Sequence, residues 1–169
     1  MTRMAKATKA AKARSDFVVI ATNSKASYNY TLGERYEAGL VLIGSEIKSI
    51  REHKVSLSEG YVEERGGELW LLNVHIAEYP QANRFGHEPL RPRKLLLHRR
   101  EIAHLIGKLR ERGYTLVPTR LYLKKGRAKV EIAVAKGKKL YDKRQAVAKR
   151  EADLEIRRRL KEQRFDDLD

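Results

Sequence analysis

The chain has 169 residues, enough for one folded domain with tails but too few for two domains of ordinary size. Its 37 Lys and Arg against 22 Asp and Glu give a formal charge of +15, which favours nucleic acid over an acidic membrane as partner, because neutralising phosphates releases counterions. The lack of cysteine excludes disulfides, thiolate zinc sites and Fe–S clusters, and without an apolar membrane span or signal-peptide core we expect a soluble cytoplasmic protein.

Residues 1–16 form a basic arm with little to bury, and we expect them to be disordered. Five cations precede the first acid, Asp16: Arg3, Lys6, Lys9, Lys12 and Arg14. Composition leaves two alternatives open for this arm, a contact with RNA or a solvated leader without a role.

Strand patterns dominate residues 17–135 of the predicted domain 17–139, and two hairpins are predicted there. The first pairs residues 61–65 with residues 68–76 across Gly66-Gly67, since glycine readily adopts the positive φ angles of a tight turn. The second pairs residues 115–123 with residues 128–134 through a turn at 124–127. Pro118 cannot donate to a strand ladder, so we expect it at a sheet edge or a bulge.

Three other segments complete the domain. Residues 45–52 fit a strand or a short helix equally well. Residues 77–93 hold three of the four prolines without periodicity, which predicts a loop. Residues 98–112 place Ile102, Leu105, Ile106 and Leu109 on one helical face and end at Gly113, which predicts a helix.

This order of elements predicts a mainly β fold, an OB-fold-like antiparallel β-barrel over 17–139 with an inserted helix. The remaining residues, 140–169, form a C-terminal tail. Its stretch 143–161 has high helix propensity but few large aliphatics, so we expect a helix that is stable only when a partner holds it.

Nothing in the sequence predicts an enzyme, a metal site or a cofactor. The five histidines do not fall in a metal-binding spacing, and Gly137-Lys138 lacks the Ser or Thr of a phosphate-binding loop. Glu63 and Glu64 are adjacent in a strand, so they face opposite sides and cannot act as an acid–base pair.

Binding residues are better represented. Basic residues flank the predicted helix and crowd the last hairpin, and eight tyrosines offer rings on which unstacked bases could lie. For most of the tyrosines a half-buried strand position is the simpler interpretation. Tyr141 differs, because it lies beyond the last strand between Lys139 and Lys143.

An ordered set of short motifs resembles the SmpB family, the tmRNA-binding (SsrA-binding) proteins of bacterial trans-translation. The motifs are Asn23-x-Lys25-Ala26-x-x-x-Tyr30, Tyr36-Glu37-Ala38-Gly39-Leu40, Gly44-x-Glu46-Ile47-Lys48-Ser49-Ile50-Arg51, Arg93-Lys94-Leu95-Leu96-Leu97-His98, and Ala135-Lys136-Gly137-Lys138-Lys139 followed by Asp142-Lys143-Arg144. Each motif is short, but the ordered set covers nearly all of the predicted domain.

The resemblance implies a monomeric OB-type barrel that binds the tRNA-like domain of tmRNA and performs no catalysis. It implies delivery of alanyl-tmRNA, with elongation factor Tu and GTP, to stalled ribosomes. The tail would enter the empty mRNA channel near the decoding centre of the small subunit. The alternative is a structural RNA-binding protein of the ribosome, since small basic barrels with tails are common there.

The resemblance also implies site residues. Those for RNA are Asn23, Lys25, Glu37, Arg93, Lys94, Leu96, His98, Lys129, Lys136, Lys138 and Lys139. Those for the ribosome are Tyr141, Asp142, Lys143, Arg144 and Leu160. The acidic Glu37 is chemically reasonable among RNA contacts, because a carboxylate accepts hydrogen bonds from base amino groups or a 2′-hydroxyl.

The chain departs from the family pattern at several positions. Ser24, Ser27 and Tyr28 replace mostly basic and histidine residues, which puts phosphate contacts there in doubt. Arg159 and Ala152 stand where the family often has an aliphatic and an aromatic residue. We therefore expect the tail of this chain to rely more on charge.

Overall fold

A computed structural model describes residues 16–166, without the side chains of 83–85, 140–142 and 162–166. The strands are β1 (Phe17–Thr22), β2 (Tyr30–Leu40), β3 (Val55–Ser56), β4 (Tyr61–Arg65), β5 (Glu68–Leu72), β6 (His75–Ile76), β7 (Arg93–Leu96), β8 (Tyr114–Lys124) and β9 (Arg127–Gly137). The helices are α1 (Ser24–Asn29), α2 (Gly44–Arg51), α3 (Arg99–Arg110) and α4 (Leu140–Asp166), with a short 3-10 helix at Pro80–Phe85.

The main sheet closes into an antiparallel barrel. Its strands follow the order β8–β4–β5–β7–β2–β9, and β9 pairs again with β8, while β1 extends the sheet along β8. The inward side chains form one core that includes Val62, Leu71, Leu95, Leu116 and Ile132. The prediction of a mainly β antiparallel barrel with inserted helical structure is confirmed.

Both hairpins have the predicted turns. Gly66 and Gly67 have φ of 59° and 78°, and Lys125 and Gly126 have 51° and 76°, so each two-residue turn uses two consecutive positive φ angles. Such turns match the twist of the flanking strands. The ladder between β8 and β9 shifts register between Pro118 and Arg120, so Pro118 lies at a bulge as predicted.

The other predicted segments agree in part. The helix predicted over 98–112 is α3, and the ambiguous segment 45–52 is helical as α2. The predicted loop 77–93 contains the 3-10 helix and ends in the first residue of β7. The predicted basic arm lies outside the described residues except for Asp16. The predicted tail forms α4, which spans the stretch 143–161.

Sequence patterns did not predict α1. Asn23 caps this helix, its Oδ1 accepting a hydrogen bond from the Ala26 amide at 3.2 Å. The Asn23 Nδ2 donates to the Leu57 and Pro118 carbonyls at 3.1 and 2.9 Å. These bonds fix α1 to the barrel, where Ala26 is buried against Val117 and Ala135.

Candidate nucleic-acid interface

A cleft at one end of β2 brings together residues from four parts of the chain. It is lined by Glu37, Lys94, Leu96, His98 and Lys129, among other residues, and has a volume of about 800 Å³. We call it the Glu37 cleft. These five residues were all predicted to contact RNA, although they span more than half of the chain in sequence.

Gly39 explains how the strands carrying these residues meet. In register it lies opposite Leu96 of β7 on one side and Lys129 of β9 on the other. A Cβ built on Gly39 would lie 3.2 Å from the Cβ of Leu96, closer than ordinary van der Waals contact. Glycine at this position therefore allows β7 to approach β2, and Leu96 keeps 52% of its surface exposed in the cleft.

The Glu37 carboxylate is held from two sides. The buried Tyr122 hydroxyl donates a hydrogen bond to it, and the Lys124 Nζ lies 3.3 Å from the same group. The Tyr122 hydrogen bond, with Lys124, lowers the pKa of Glu37 below its ordinary value. Burial and the same hydrogen bond raise the pKa of Tyr122. Glu37 is thus ionised and oriented, with 38% of its side chain exposed.

Cationic and polar groups surround this acceptor. The Lys94 Nζ makes a long ion pair with Glu68 at 3.5 Å, and 36% of its side chain is exposed. Lys129 is half-buried, and its charge contributes to lowering the pKa of Glu37. His98 caps α3, where Glu101 Oε2 accepts from its backbone amide at 3.0 Å, and its side chain is exposed. The cleft thus places the cations Lys94 and Lys129 beside the fixed Glu37 carboxylate, and its lining also includes Glu68 and Glu101.

Arg93 does not have the exposure that its predicted RNA contact requires. Its side chain is fully buried and its Nε donates to Glu46 at 2.9 Å. The two other nitrogens donate to the Val74 and Pro89 carbonyls at 2.7 and 3.1 Å. In this structure the guanidinium is used inside the protein, so its burial does not support a direct RNA contact, which stays a prediction. Arg93 instead fixes the strand that carries Lys94.

Asn23 and Lys25 lie in a different cleft, between α1 and β4, with a volume of about 540 Å³. Asn23 is 7% exposed and uses its amide within the fold, as described above. The exposed Lys25 Nζ pairs with Glu59 at 2.7 Å. The structure therefore does not bring this pair together with the Glu37 cleft.

Lys136, Lys138 and Lys139 lie at the far end of β9. Lys129 faces Gly39, whereas Lys136 faces Thr31 at the opposite end of the same ladder. Seven strand residues correspond to roughly 23 Å. Lys136 and Lys139 are exposed, and Lys138 is half-buried. The basic residues of the last hairpin are thus divided between two ends of the barrel.

The tail residues predicted to contact the ribosome lie along α4. The side chains of Tyr141 and Asp142 are outside the described part. Lys143 is half-buried, Arg144 is exposed, and Leu160 is 57% exposed. Leu154 and Ile156, which were not predicted as contacts, are exposed by 53% and 56%. The helix thus carries aliphatic side chains that the barrel does not cover.

The sequence did not predict the roles of two neighbours of the cleft, the hydrogen bond from Tyr122 to Glu37 and the ion pairs of Glu131. Glu131 pairs with Arg35 and Arg120, each at 3.0 Å, and accepts from Thr119 at 2.7 Å. Burial acts to raise the pKa of Glu131, but these bonds lower it overall. The alternation of inward and outward residues along β8 and β9 indicates which side chains share this face of the sheet. It does not indicate which carboxylate each of them contacts.

Two further properties concern only residues 16–166. Among the side chains described there, no group of three or more His, Asp and Glu could hold a metal ion. No helix there is long and apolar enough to cross a membrane.

A β-barrel in a strongly basic chain, with a cleft that places lysines beside a fixed carboxylate, is typical of the class of small barrel proteins that bind RNA. The family model described as SmpB protein matches residues 20–162. The chain belongs to the SmpB family.

Relatives and a solved structure agree with this assignment. The SsrA-binding protein of Symbiobacterium thermophilum is 54% identical over 158 residues, which cover 93% of this chain and 99% of the relative. That of Roseiflexus castenholzii is 60% identical over 145 residues, covering 85% and 92%. A chain of the solved structure "tmRNA-SmpB: a journey to the center of the bacterial ribosome" is similar with a TM-score of 0.63 and 41% identity, covering 76% of this chain and 94% of that one.

Proposed function

We propose that this protein binds the tRNA-like domain of tmRNA and delivers it to stalled ribosomes for trans-translation. Family membership and the relatives named SsrA-binding protein support this function. The observation that carries the contact site is the Glu37 cleft, where a fixed, ionised acceptor lies beside Lys94 and Lys129. The lysines provide affinity for phosphates, and Glu37 selects donors on bases or riboses.

Membership of the SmpB family also supports roles for the barrel, for a carrier factor and for the tail. The barrel over 17–139 binds tmRNA as a monomer, and elongation factor Tu with GTP joins through the alanyl end of tmRNA. Residues 140–169 occupy the empty mRNA channel, where the exposed Leu160 and the cations Lys143 and Arg144 find their partner. The protein acts by binding and not by catalysis, in the cytoplasm where the ribosomes are.

The test compares two glutamates. Removing a negative charge near RNA ordinarily strengthens binding, because repulsion of phosphates is reduced. Glu37→Ala should instead weaken binding to the tRNA-like domain by about tenfold, since it removes a hydrogen bond to a charged group. Glu63→Ala is the matched control, an exposed glutamate outside the cleft that pairs with Arg65. Fluorescence anisotropy at fixed salt with the tRNA-like domain and with bulk tRNA measures both.

Three outcomes would contradict the proposal. Equal affinity for the tRNA-like domain and bulk tRNA would remove the claimed selectivity. An equal effect of Glu37→Ala and Glu63→Ala on this affinity would show that the Glu37 cleft is not the contact site. A protein pulled down in stoichiometric amounts with translating ribosomes, without tmRNA enrichment, would be a structural ribosomal component instead.

A further inference from the structure

Lys138 fastens the end of the barrel to α1. Its Nζ donates to the Ser27 carbonyl at 2.8 Å, and its backbone amide donates to the Asn29 carbonyl at 3.0 Å. Both carbonyls belong to the last turn of α1, where backbone acceptors have no partner within the helix. A lysine is favoured there because the C-terminal end of a helix is electronegative.

The same contact fixes the point where the tail leaves the barrel. Gly137 is the last residue of β9 paired with β2, opposite Tyr30. α4 begins at Leu140, and its first described backbone bond joins the Lys143 amide to the Lys139 carbonyl at 3.1 Å. Lys138 is therefore held to α1 in the short connection between the final barrel strand and the tail helix.

The side of α1 also faces the tail. A groove of about 450 Å³ has Ser27 and Tyr28 on one wall and Val147 and Leu154 on the other. Tyr28 keeps 40% of its surface exposed, and Leu154 keeps 53%. α1 thus meets Lys138 at its end and lines a groove with α4 along its side.

We propose that Lys138, held by α1, is a positioning residue that sets the direction in which the tail helix leaves the barrel. Its ammonium group satisfies carbonyls of the protein and is not required as an RNA contact. This inference rests on the proposed function in one respect, that barrel and tail engage different partners at the same time. Two partners can be bound together only if the tail leaves the barrel at an angle that places the barrel and the tail at their own binding sites.

The first test measures how firmly the tail helix is held relative to the barrel in the free full-length protein. The chain has no cysteine, so Arg110→Cys and Arg157→Cys introduce single spin-label sites at the exposed end of α3 and on exposed α4. Electron spin resonance then gives the distance distribution between barrel and tail. We expect a narrow distribution that broadens in Lys138→Met, which keeps chain length but loses the donor. Lys138→Arg, which keeps a donor, and Lys139→Met, which loses the same charge at the exposed neighbour, should remain narrow.

The second test separates positioning from RNA contact. Lys138→Met and Arg112→Met, the latter at an exposed arginine outside the predicted RNA contacts, each lose one positive charge, so their affinities for the tRNA-like domain should agree within about twofold. Peptide tagging on stalled ribosomes should fall in Lys138→Met by about tenfold relative to Arg112→Met, and Lys138→Arg should restore it.

The outcomes are distinct. A Lys138→Met distribution no broader than that of the unmodified chain or of Lys139→Met would overturn the inference. A loss of RNA affinity confined to Lys138→Met would identify Lys138 as an RNA contact and overturn it also. The distance measurement contains no RNA. It therefore tests whether Lys138 positions the tail helix even if the protein shows no selectivity for tmRNA.

Discussion

Glu37 would be a poor acceptor for RNA if its carboxylate rotated freely or took up a proton. Tyr122 opposes both, since its hydroxyl donates to Glu37 and lowers the pKa of that carboxyl while its own ring is fixed by neighbours. The Phe17 ring lies 4.7 Å from the Tyr122 ring, and the Arg120 guanidinium lies 5.6 Å from it. A side chain that does not itself reach solvent therefore prepares the group that does.

The variant Tyr122→Phe tests this arrangement by removing one hydroxyl. We expect affinity for the tRNA-like domain to fall by about tenfold at neutral pH, because Glu37 loses its orienting hydrogen bond. The hydrogen bond lowers the pKa of Glu37, so ionised Glu37 is present above this pKa and is lost as pH falls through it. In Tyr122→Phe, binding should therefore decline at a higher pH than in the unmodified chain, as titrated by anisotropy.

Tyr79→Phe is the control for that change. Tyr79 is half-buried in the segment before β7, away from the Glu37 cleft, and its ring lies beneath the Lys48 ammonium. The substitution Tyr79→Phe should leave both the affinity for the tRNA-like domain and its pH profile unchanged. Identical pH profiles for Tyr122→Phe and the unmodified chain would show that Tyr122 does not control Glu37.

The resemblance predicted Glu37, which the residue patterns alone did not, and these patterns marked Lys129 only as one of the basic residues of the last hairpin. Their proximity depends on the pairing of β2 with β9, strands that are far apart in sequence. Local patterns fix only the hairpin of β8 and β9, in which Tyr122 lies opposite Lys129. The register between β2 and β9 is set by tertiary packing, so the partner of Tyr122 could not be inferred.

At the scale of elements, a buried ion pair joins α2 to β7. Glu46 is fully buried, and it receives hydrogen bonds from Arg93 at 2.9 Å and from Arg91 at 2.8 Å. It also accepts from the Ile43 amide at 2.9 Å. Burial acts to raise the pKa of Glu46, but these partners more than offset it, so the pKa is lowered overall. The strand carrying Lys94 is thereby tied to the helix behind it.

Glu46→Gln should destabilise the fold by about 3 kcal/mol at neutral pH, because it leaves Arg93 buried without a counter-charge. The folded pKa of Glu46 lies below the unfolded one, so its contribution is present above the unfolded pKa. That contribution is lost as pH falls through the folded pKa. Urea unfolding of both chains should therefore show a stability difference that shrinks on acidification. A difference independent of pH would contradict this account.

Two glycines make a matched pair. A Cβ on Gly60 would lie 2.7 Å from Val74 Cγ2 and 2.8 Å from Pro118 Cγ, whereas a Cβ on Gly107 in α3 meets nothing within 4 Å. Gly60→Ala should cost about 1–3 kcal/mol through overpacking. Gly107→Ala should add about 0.5–1 kcal/mol through helix propensity. Thermal unfolding measures both, and equal effects would show that backbone entropy, and not packing, governs Gly60.

The elements that sequence predicted are those with local causes. The Gly66-Gly67 turn and the apolar face of α3 are determined by neighbouring residues. The helix α1 was missed because its six residues contain no helical periodicity, and its stability comes from Asn23 bonds to Leu57 and Pro118. Such contacts between distant segments leave no pattern in the sequence.

At the scale of the whole molecule, the barrel and the tail divide the proposed task. Truncation after Lys139 leaves the barrel strands and the Lys138 contact intact. We expect the truncated chain to keep its affinity for the tRNA-like domain within about threefold, since the loss of distant charges changes only the nonspecific term. Tagging on stalled ribosomes should be abolished. Loss of RNA binding on truncation would contradict this division.

Because α4 is long, a small rotation where it leaves the barrel near Lys138 displaces its far end by a large distance. Its 27 residues correspond to a rod of about 40 Å. A rotation of only 10° at the base would displace the far end by about 7 Å, which is more than one turn of helix. The rotation would take place at the barrel end, so a shift of a few tenths of an ångström beside α1 would displace Leu160 by several ångströms.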